Sequence, residues 1–292
     1  MAATLSTTET LIASPTLMRR LIGNLSGMVG LVVVTIFVVI AIMGALGITP
    51  YPSIQQHPKD RLKAPSSAYI MGTDLFGRDI TSRVMEGAGN SFKVAFISVA
   101  LSSVIGITLG MISGFAGGQI DNAIMRFMDI FFAFPSLLLA LVVVTVMGTG
   151  LVQTALAIAV VYTPIFARVA RGPVLAAKER EFVLAARCVG MRPTRILLFH
   201  IFPNTLAPII VQISLALSWS LLTEAGLSFL GLGTQPPAAS WGVMLSEGRN
   251  LAEKAPWLII FPGLAIMLGV LGFNLLGDGL RDILDPRMRG TR

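Results

Sequence analysis

Two places in this 292-residue sequence put reactive residue types where their spacing gives them work. The first is Glu181–Asn204, EFVLAARCVGMRPTRILLFHIFPN, which carries Arg187, Arg192 and Arg195, with Glu179 and Arg180 just before it. It interrupts text that is otherwise free of charge, since Ile130–Ala167 and Thr205–Thr223 contain no Asp, Glu, Lys or Arg. The second is Glu224, the one acid well inside an apolar stretch. Intramembrane ionisable residues are functional candidates by default. A carboxylate facing a cavity could meet an amine or a cation. Hydrogen-bonded to a neighbouring helix, it would instead hold the bundle together.

Other chemistry is missing from the text. No Gly-x-x-x-x-Gly-Lys-Ser/Thr occurs, and no Gly-Lys pair at all, so a phosphate-cradling loop for ATP is excluded. There is no His-Glu-x-x-His, nucleophile elbow or paired carboxylate site. The single cysteine, Cys188, rules out an internal disulfide framework. His57 and His200 read as loop and interface residues rather than metal ligands. Trp219, Trp241 and Trp257 read as interfacial anchors.

The elements that must position these residues are membrane helices. The chain is 54% hydrophobic and only 13% charged, against about 25% charged in a soluble domain. A spanning helix needs about 20 apolar residues. The charge-free runs are Leu21–Pro58, Val94–Ile120, Ile130–Ala167, Ile196–Thr223 and Ala255–Gly277, and Gly148-Thr149-Gly150 divides the third. Six spans are predicted, at 25–46, 92–115, 130–147, 151–170, 205–230 and 256–277. The first run follows polar residues and lacks a cleavage site, so it is expected to be a retained helix rather than a signal peptide.

The net charge of +7 reports topology rather than nucleic-acid binding, because no basic patch interleaves with aromatics. With the N-terminus inside, fourteen of the 22 Lys and Arg fall on the inner side, as the positive-inside rule asks. Both termini and the 171–204 insert are therefore expected to be cytoplasmic. Ser98, Ser102, Gly106, Gly110, Gly114 and Gly118 place a small residue at every fourth position of the second span, a stripe suited to close helix packing.

Within the insert, a helical wheel over Glu181–Val189 puts Phe182, Ala185, Ala186 and Val189 on one stripe, fit to lie on the membrane helices. Arg180, Leu184, Arg187 and Cys188 fall on the other. Gly190 suits a helix C-cap and Pro193 the first turn of a second helix. The segment reads as helix, Gly turn, helix, re-entering the membrane at Pro203. Such a knuckle could be a docking element for a soluble partner; a solvated loop with topology-fixing arginines is the plainer alternative.

These residues carry a resemblance. Ala185-Ala186, Gly190 and Pro203 resemble the EAA loop of ABC importer permeases. Glu181-Phe182-Val183-x-Ala185-Ala186-Arg187-x-x-Gly190, followed by His200-Ile201-x-Pro203-Asn204, is similar to the dipeptide/oligopeptide/nickel branch, in its second-permease form. Four further stretches resemble signatures of that branch in order: Met71–Arg83, Asp121–Leu141, Glu224–Gly242 and Phe273–Arg289. Gly89-Asn90 departs from it, where relatives often carry an Arg before the Ser of the second helix.

The resemblance implies an all-α integral membrane protein with the type I importer permease fold. It comprises a cytoplasmic tail (1–24), a first transmembrane helix (25–46) and a structured extracytoplasmic segment (47–91). A five-helix core (92–277) includes the coupling loop 171–204, and a cytoplasmic tail (278–292) follows. It implies a bacterial inner-membrane subunit forming half of a pathway for small peptides or a related solute. Implied partners are a homologous second permease, one or two cytoplasmic ATPases that hold ATP and Mg, an extracytoplasmic substrate-binding protein and lipid. The chain itself would bind no cofactor and catalyse nothing.

Glu181, Phe182, Leu184, Ala185, Ala186, Arg187, Cys188, Gly190, Arg192 and Pro193 would couple to the ATPases. Arg78 and Asp79 could contact the binding protein, or form a local ion pair in a structured loop. Glu224 belongs to a signature shared across differing substrates, which favours its structural role. Asp278, Arg281 and Asp282 would close off the last helix, within reach of an ATPase. The alternative is a stand-alone channel or secondary transporter, which would predict charged residues lining several spans or repeated broken helices. An intramembrane enzyme would need a catalytic constellation that is absent.

Overall fold

The computed structural model describes residues 21–284; the expected tails at 1–20 and 285–292 lie outside them. The described residues form an all-helical chain. Helix α1 (Leu25–Ala45) is followed by a long irregular segment, then α2 (Ile80–Ala116), α3 (Gly118–Phe132), α4 (Ser136–Met147) and α5 (Leu151–Lys178). Next come α6 (Glu181–Cys188) and α7 (Pro193–Ile196), which runs through a π-helical turn at Leu197–Ile201 into α8 (Phe202–Phe229). Finally α9 (Trp241–Gly248) precedes α10 (Trp257–Leu284).

Five helical stretches are long and apolar enough to cross a membrane, and a sixth crossing is possible only if α3 and α4 count as one span. The expected helix at 130–147 is the main departure from the sequence reading. The chain bends by 90° between α3 and α4, at Ala133-Phe134-Pro135. Proline lacks the N–H that would continue the helix and biases its predecessor toward extended backbone. The 12 residues of α4 rise about 18 Å, short of a 30 Å hydrocarbon core. By contrast, Gly148-Thr149-Gly150 ends α4 as expected, with Gly148 and Gly150 both at positive φ.

Two other boundaries moved. Helix α2 starts at Ile80, not 92, because Asp79 caps it: its carboxylate accepts from the Ser82 N–H at 2.8 Å and the Ser82 hydroxyl at 2.7 Å. The span expected at 205–230 is continuous with the second insert helix, so that Pro193–Phe229 forms one helical stretch. Pro203 would collide with a carbonyl one turn back in a regular helix. The π turn just before it widens the ladder there, and the Asn204 amide donates to the His200 carbonyl at 2.7 Å.

The centre of the bundle is the α2–α5 pair, flanked by α8, α10 and α1. The small-residue stripe makes that pairing. A Cβ on Gly106 or Gly110 would overlap the Thr163 or Ala167 carbonyl of α5, and Gly114 lies against Val174. The Ser98 and Ser220 hydroxyls meet at 2.7 Å between α2 and α8. Gly27 and Gly30 of α1 approach the backbone of α10 in the same way. Trp241 is not an interfacial anchor but core: it is buried and its indole N–H donates to the Val84 carbonyl at 2.9 Å. Trp257 likewise donates to the Thr73 carbonyl at 3.0 Å, whereas Trp219 is exposed.

Candidate functional site

The residues of the insert come together at one end of the bundle. Arg180 N-caps α6 without a side-chain bond, and Glu181 places an acid in the first turn, where it suits the helix dipole. The helix ends in a Schellman turn: Gly190 N–H donates to the Arg187 carbonyl at 2.9 Å and Met191 N–H to the Ala186 carbonyl at 3.1 Å. Gly190 sits at φ +73, a region costly for residues with a Cβ. Pro193 then opens α7, needing no donor there.

Which face is buried differs from the helical-wheel expectation. Val183 and Ala186 point inward, packed with Met111 of α2, Val174 and Ala177 of α5, and Ile196 and Ile201. Phe182 is 37% exposed and Val189 78% exposed; Leu184, Ala185, Arg187, Cys188, Gly190, Arg192 and Pro193 are exposed as well. The wheel erred because Glu181–Cys188 is only two turns, and the buried strip is set by where α2 and α5 lie. The result is a small hydrophobic anchor beneath a surface of mixed apolar and basic groups.

A clamp missed from sequence stiffens that same end. The Arg171 guanidinium of α5 grips Asp121 of α3 through Nε and Nη2, each 2.6 Å from a carboxylate oxygen, and the Ser113 hydroxyl of α2 also donates to Asp121. Three helices meet in one bidentate ion pair, a geometry specific to arginine. The available signal was Asp121 lying in the first turn after Gly117-Gly118. Asp282 of α10 accepts from the Asn24 side chain at 3.0 Å, fastening the start of α1.

Glu224 and Arg78/Asp79 lie toward the opposite end. Glu224 is fully buried, 0% exposed. Its Oε1 accepts from the Ser228 hydroxyl at 2.6 Å, its Oε2 has no partner within the chain, and Ser91 and Ser240 lie beside it. Arg78 and Asp79 are turned inward, 4% and 1% exposed, and Arg78 takes the local ion pair that was the alternative to an external contact. Asp79 is spent on capping α2. Arg78 pairs with Asp74 at 2.5 Å and with Glu247 at 3.0 Å, and Arg83 joins Glu247 at 2.9 Å. Buried charges persist when paired this way. The exposed groups of this turn are Leu75 and Phe76, and a cavity of about 140 Å³ lies behind them, bordered by Arg83, Met244 and Leu258.

The long segment between α1 and α2 is ordered by a second polar knot. Asp60 accepts from the Tyr69 hydroxyl at 2.8 Å and pairs with Lys63 at 2.5 Å. The Lys63 hydrogen bond, then that from Tyr69, holds the Asp60 carboxyl below its ordinary range. The bond to Asp60 pushes the Tyr69 phenol up to about 12. Among the described residues, no three His, Cys, Asp or Glu gather to hold a metal.

Comparison with known proteins gives this arrangement its family. The family described as binding-protein-dependent transport system inner membrane component matches residues 106–290, and the N-terminal transmembrane domain of oligopeptide transport permease C matches residues 16–65. A dipeptide transport system permease protein of Alkalihalophilus pseudofirmus is 46% identical over 271 residues, covering 93% of this chain and 89% of that one. A glutathione transport system permease protein of Pectobacterium atrosepticum is 42% identical over 241 residues, 82% of this chain and 80% of that one. The inward-facing structure of the MetNI methionine ABC transporter has the same fold, with a TM-score of 0.56 at 17% identity over 68% of this chain and 94% of that one. The chain belongs to the family of binding-protein-dependent transport system inner membrane components, as a permease subunit of an ABC importer.

Proposed function

We propose that this chain lines half of a path for small peptides, and that α6 with the Gly190 turn and α7 is where separate ATPase subunits move it. The observation that carries this reading is the two-sided knuckle. Val183 and Ala186 tie it into α2 and α5, while Phe182, Leu184, Ala185, Arg187 and Cys188 face outward to meet a partner. Because α7 is continuous with α8 through the π turn, a push on the knuckle reaches two transmembrane elements at once. The chain contributes no chemistry to hydrolysis. ATP and Mg sit on the ATPases, whose two states differ in how they contact this surface, and that difference shifts the bundle.

In this reading α3 and α4 together make the sixth crossing, the knuckle and both termini are cytoplasmic, and the 47–79 segment faces the substrate-binding protein. A homologous permease completes the path as a heterodimer, in a bacterial inner membrane. Glu224 acts as a buried hydrogen-bonding post between α8, α2 and α9, walled off from the path by its own chain. Small peptides are the substrate class, supported by relatives named for dipeptides and for glutathione, itself a small peptide.

The test is the assembled transporter in proteoliposomes, with uptake and ATP hydrolysis measured together. Gly190→Pro cannot adopt positive φ and removes the turn's N–H. We expect insertion and hydrolysis to persist while uptake falls at least tenfold. Unchanged uptake in that variant overturns the coupling role. Uptake that continues without ATP would favour a stand-alone channel or secondary transporter instead.

A further inference from the structure

An apolar groove of about 320 Å³ runs between α1 and α2, bordered by Val38, Ala41, Ile42, Ala45, Phe92 and Phe96. One charged side chain stands at its edge: Lys93, exposed, and without an ion pair among the described residues. Its depth is fixed by its neighbours. The 21 residues of α1 rise about 31 Å, the thickness of a bilayer's hydrocarbon core, so Ala45 at its end marks the hydrocarbon boundary. Gly89 of α2 lies against Ala45. Lys93 is one helical turn, about 6 Å, deeper.

A lysine at that depth extends its stem along the apolar wall and lifts its ammonium to the boundary. We infer that this groove holds one acyl chain of an anionic glycerophospholipid, from the leaflet at the 47–79 end, with its phosphate on the Lys93 ammonium. The groove opens to hydrocarbon, so no water-soluble ligand is suited to it. A protein occupant would have to carry a carboxylate to membrane depth to pair with Lys93, which is costly. A phospholipid brings its anion to that level by construction. The site lies away from the knuckle, and Lys93 stands on the opposite face of α2 from Ser91, the neighbour of Glu224.

Native mass spectrometry of the assembled transporter, titrated with phosphatidylglycerol, tests the assignment. Lys93→Gln leaves the groove open but removes the charge. Ala45→Phe fills the groove from an exposed position and leaves the charge. We expect one lipid per chain to bind above background, and Lys93→Gln to weaken it about fivefold, one basic side chain's share of attraction to anionic lipid. Ala45→Phe should remove it. Binding unchanged in either variant overturns the site, as does carbodiimide coupling of Lys93 to a carboxylate of another subunit.

Discussion

Single residues at the two ends of this bundle are held by charge pairs of unequal reach. Arg171 and Asp121 form a two-point clamp joining three helices, and charged hydrogen bonds of this kind contribute about 1.5–3 kcal/mol when their loss strands a partner. Arg171→Ala is expected to lower the thermal midpoint of the purified chain by several degrees, with Arg171→Lys recovering only part, since lysine cannot make the two-point contact. Equal stability of all three would show the clamp idle. In the 47–79 segment, Asp60 and Tyr69 make order pH-dependent from both sides. Asp60's lowered carboxyl contributes above the ordinary carboxylate range and is lost as pH falls through its lowered value. Tyr69's raised phenol contributes fully below pH 10 and is lost as pH climbs toward about 12. Proteolysis of the segment across pH should show both edges, and Tyr69→Phe should abolish the alkaline one.

At the scale of elements, backbone proximity sets what can change. Gly110 of α2 has no room for a methyl group before the Ala167 carbonyl of α5, whereas Gly263 of α10 has open space around it. Gly110→Ala should therefore separate the central pair and destabilise by about 1–3 kcal/mol, while Gly263→Ala stays neutral or stabilises slightly through helix propensity. Thermal unfolding in detergent compares them, and an equal response would mean that the α2–α5 contact is not tight. The stripe behind this contact was legible because a four-residue repeat of small side chains survives in the text. The inward side of α6 was not, because two turns of helix offer Val183, Ala186, Phe182 and Val189 almost equally.

The whole molecule has a chemical handle on its own orientation. Cys188 is the chain's one cysteine and is exposed on the knuckle. A membrane-impermeant maleimide should label it in inverted vesicles and not in intact cells; the reverse pattern would invert the proposed topology and detach the knuckle from cytoplasmic ATPases. The exposed apolar faces of α1, α2 and α4, too extensive for a soluble monomer, are the surfaces left for lipid and, in the proposed assembly, for a second permease.

The sequence alone determined that this is a membrane protein, where most of its apolar helices run, and that Gly190 and Pro193 shape a helical knuckle. These follow from local physics: hydropathy sums along a segment, and glycine and proline act on the backbone where they stand. Only the tertiary structure decided that Pro135 turns the third apolar run through 90°, that Arg78 faces inward to Glu247 rather than outward, and that Asp121 answers Arg171. Residues 78 and 247 are 169 positions apart, and 121 and 171 are 50 apart. No local pattern encodes such pairings; they exist because packed helices bring those positions to the same end of the bundle, where a buried charge must find its opposite.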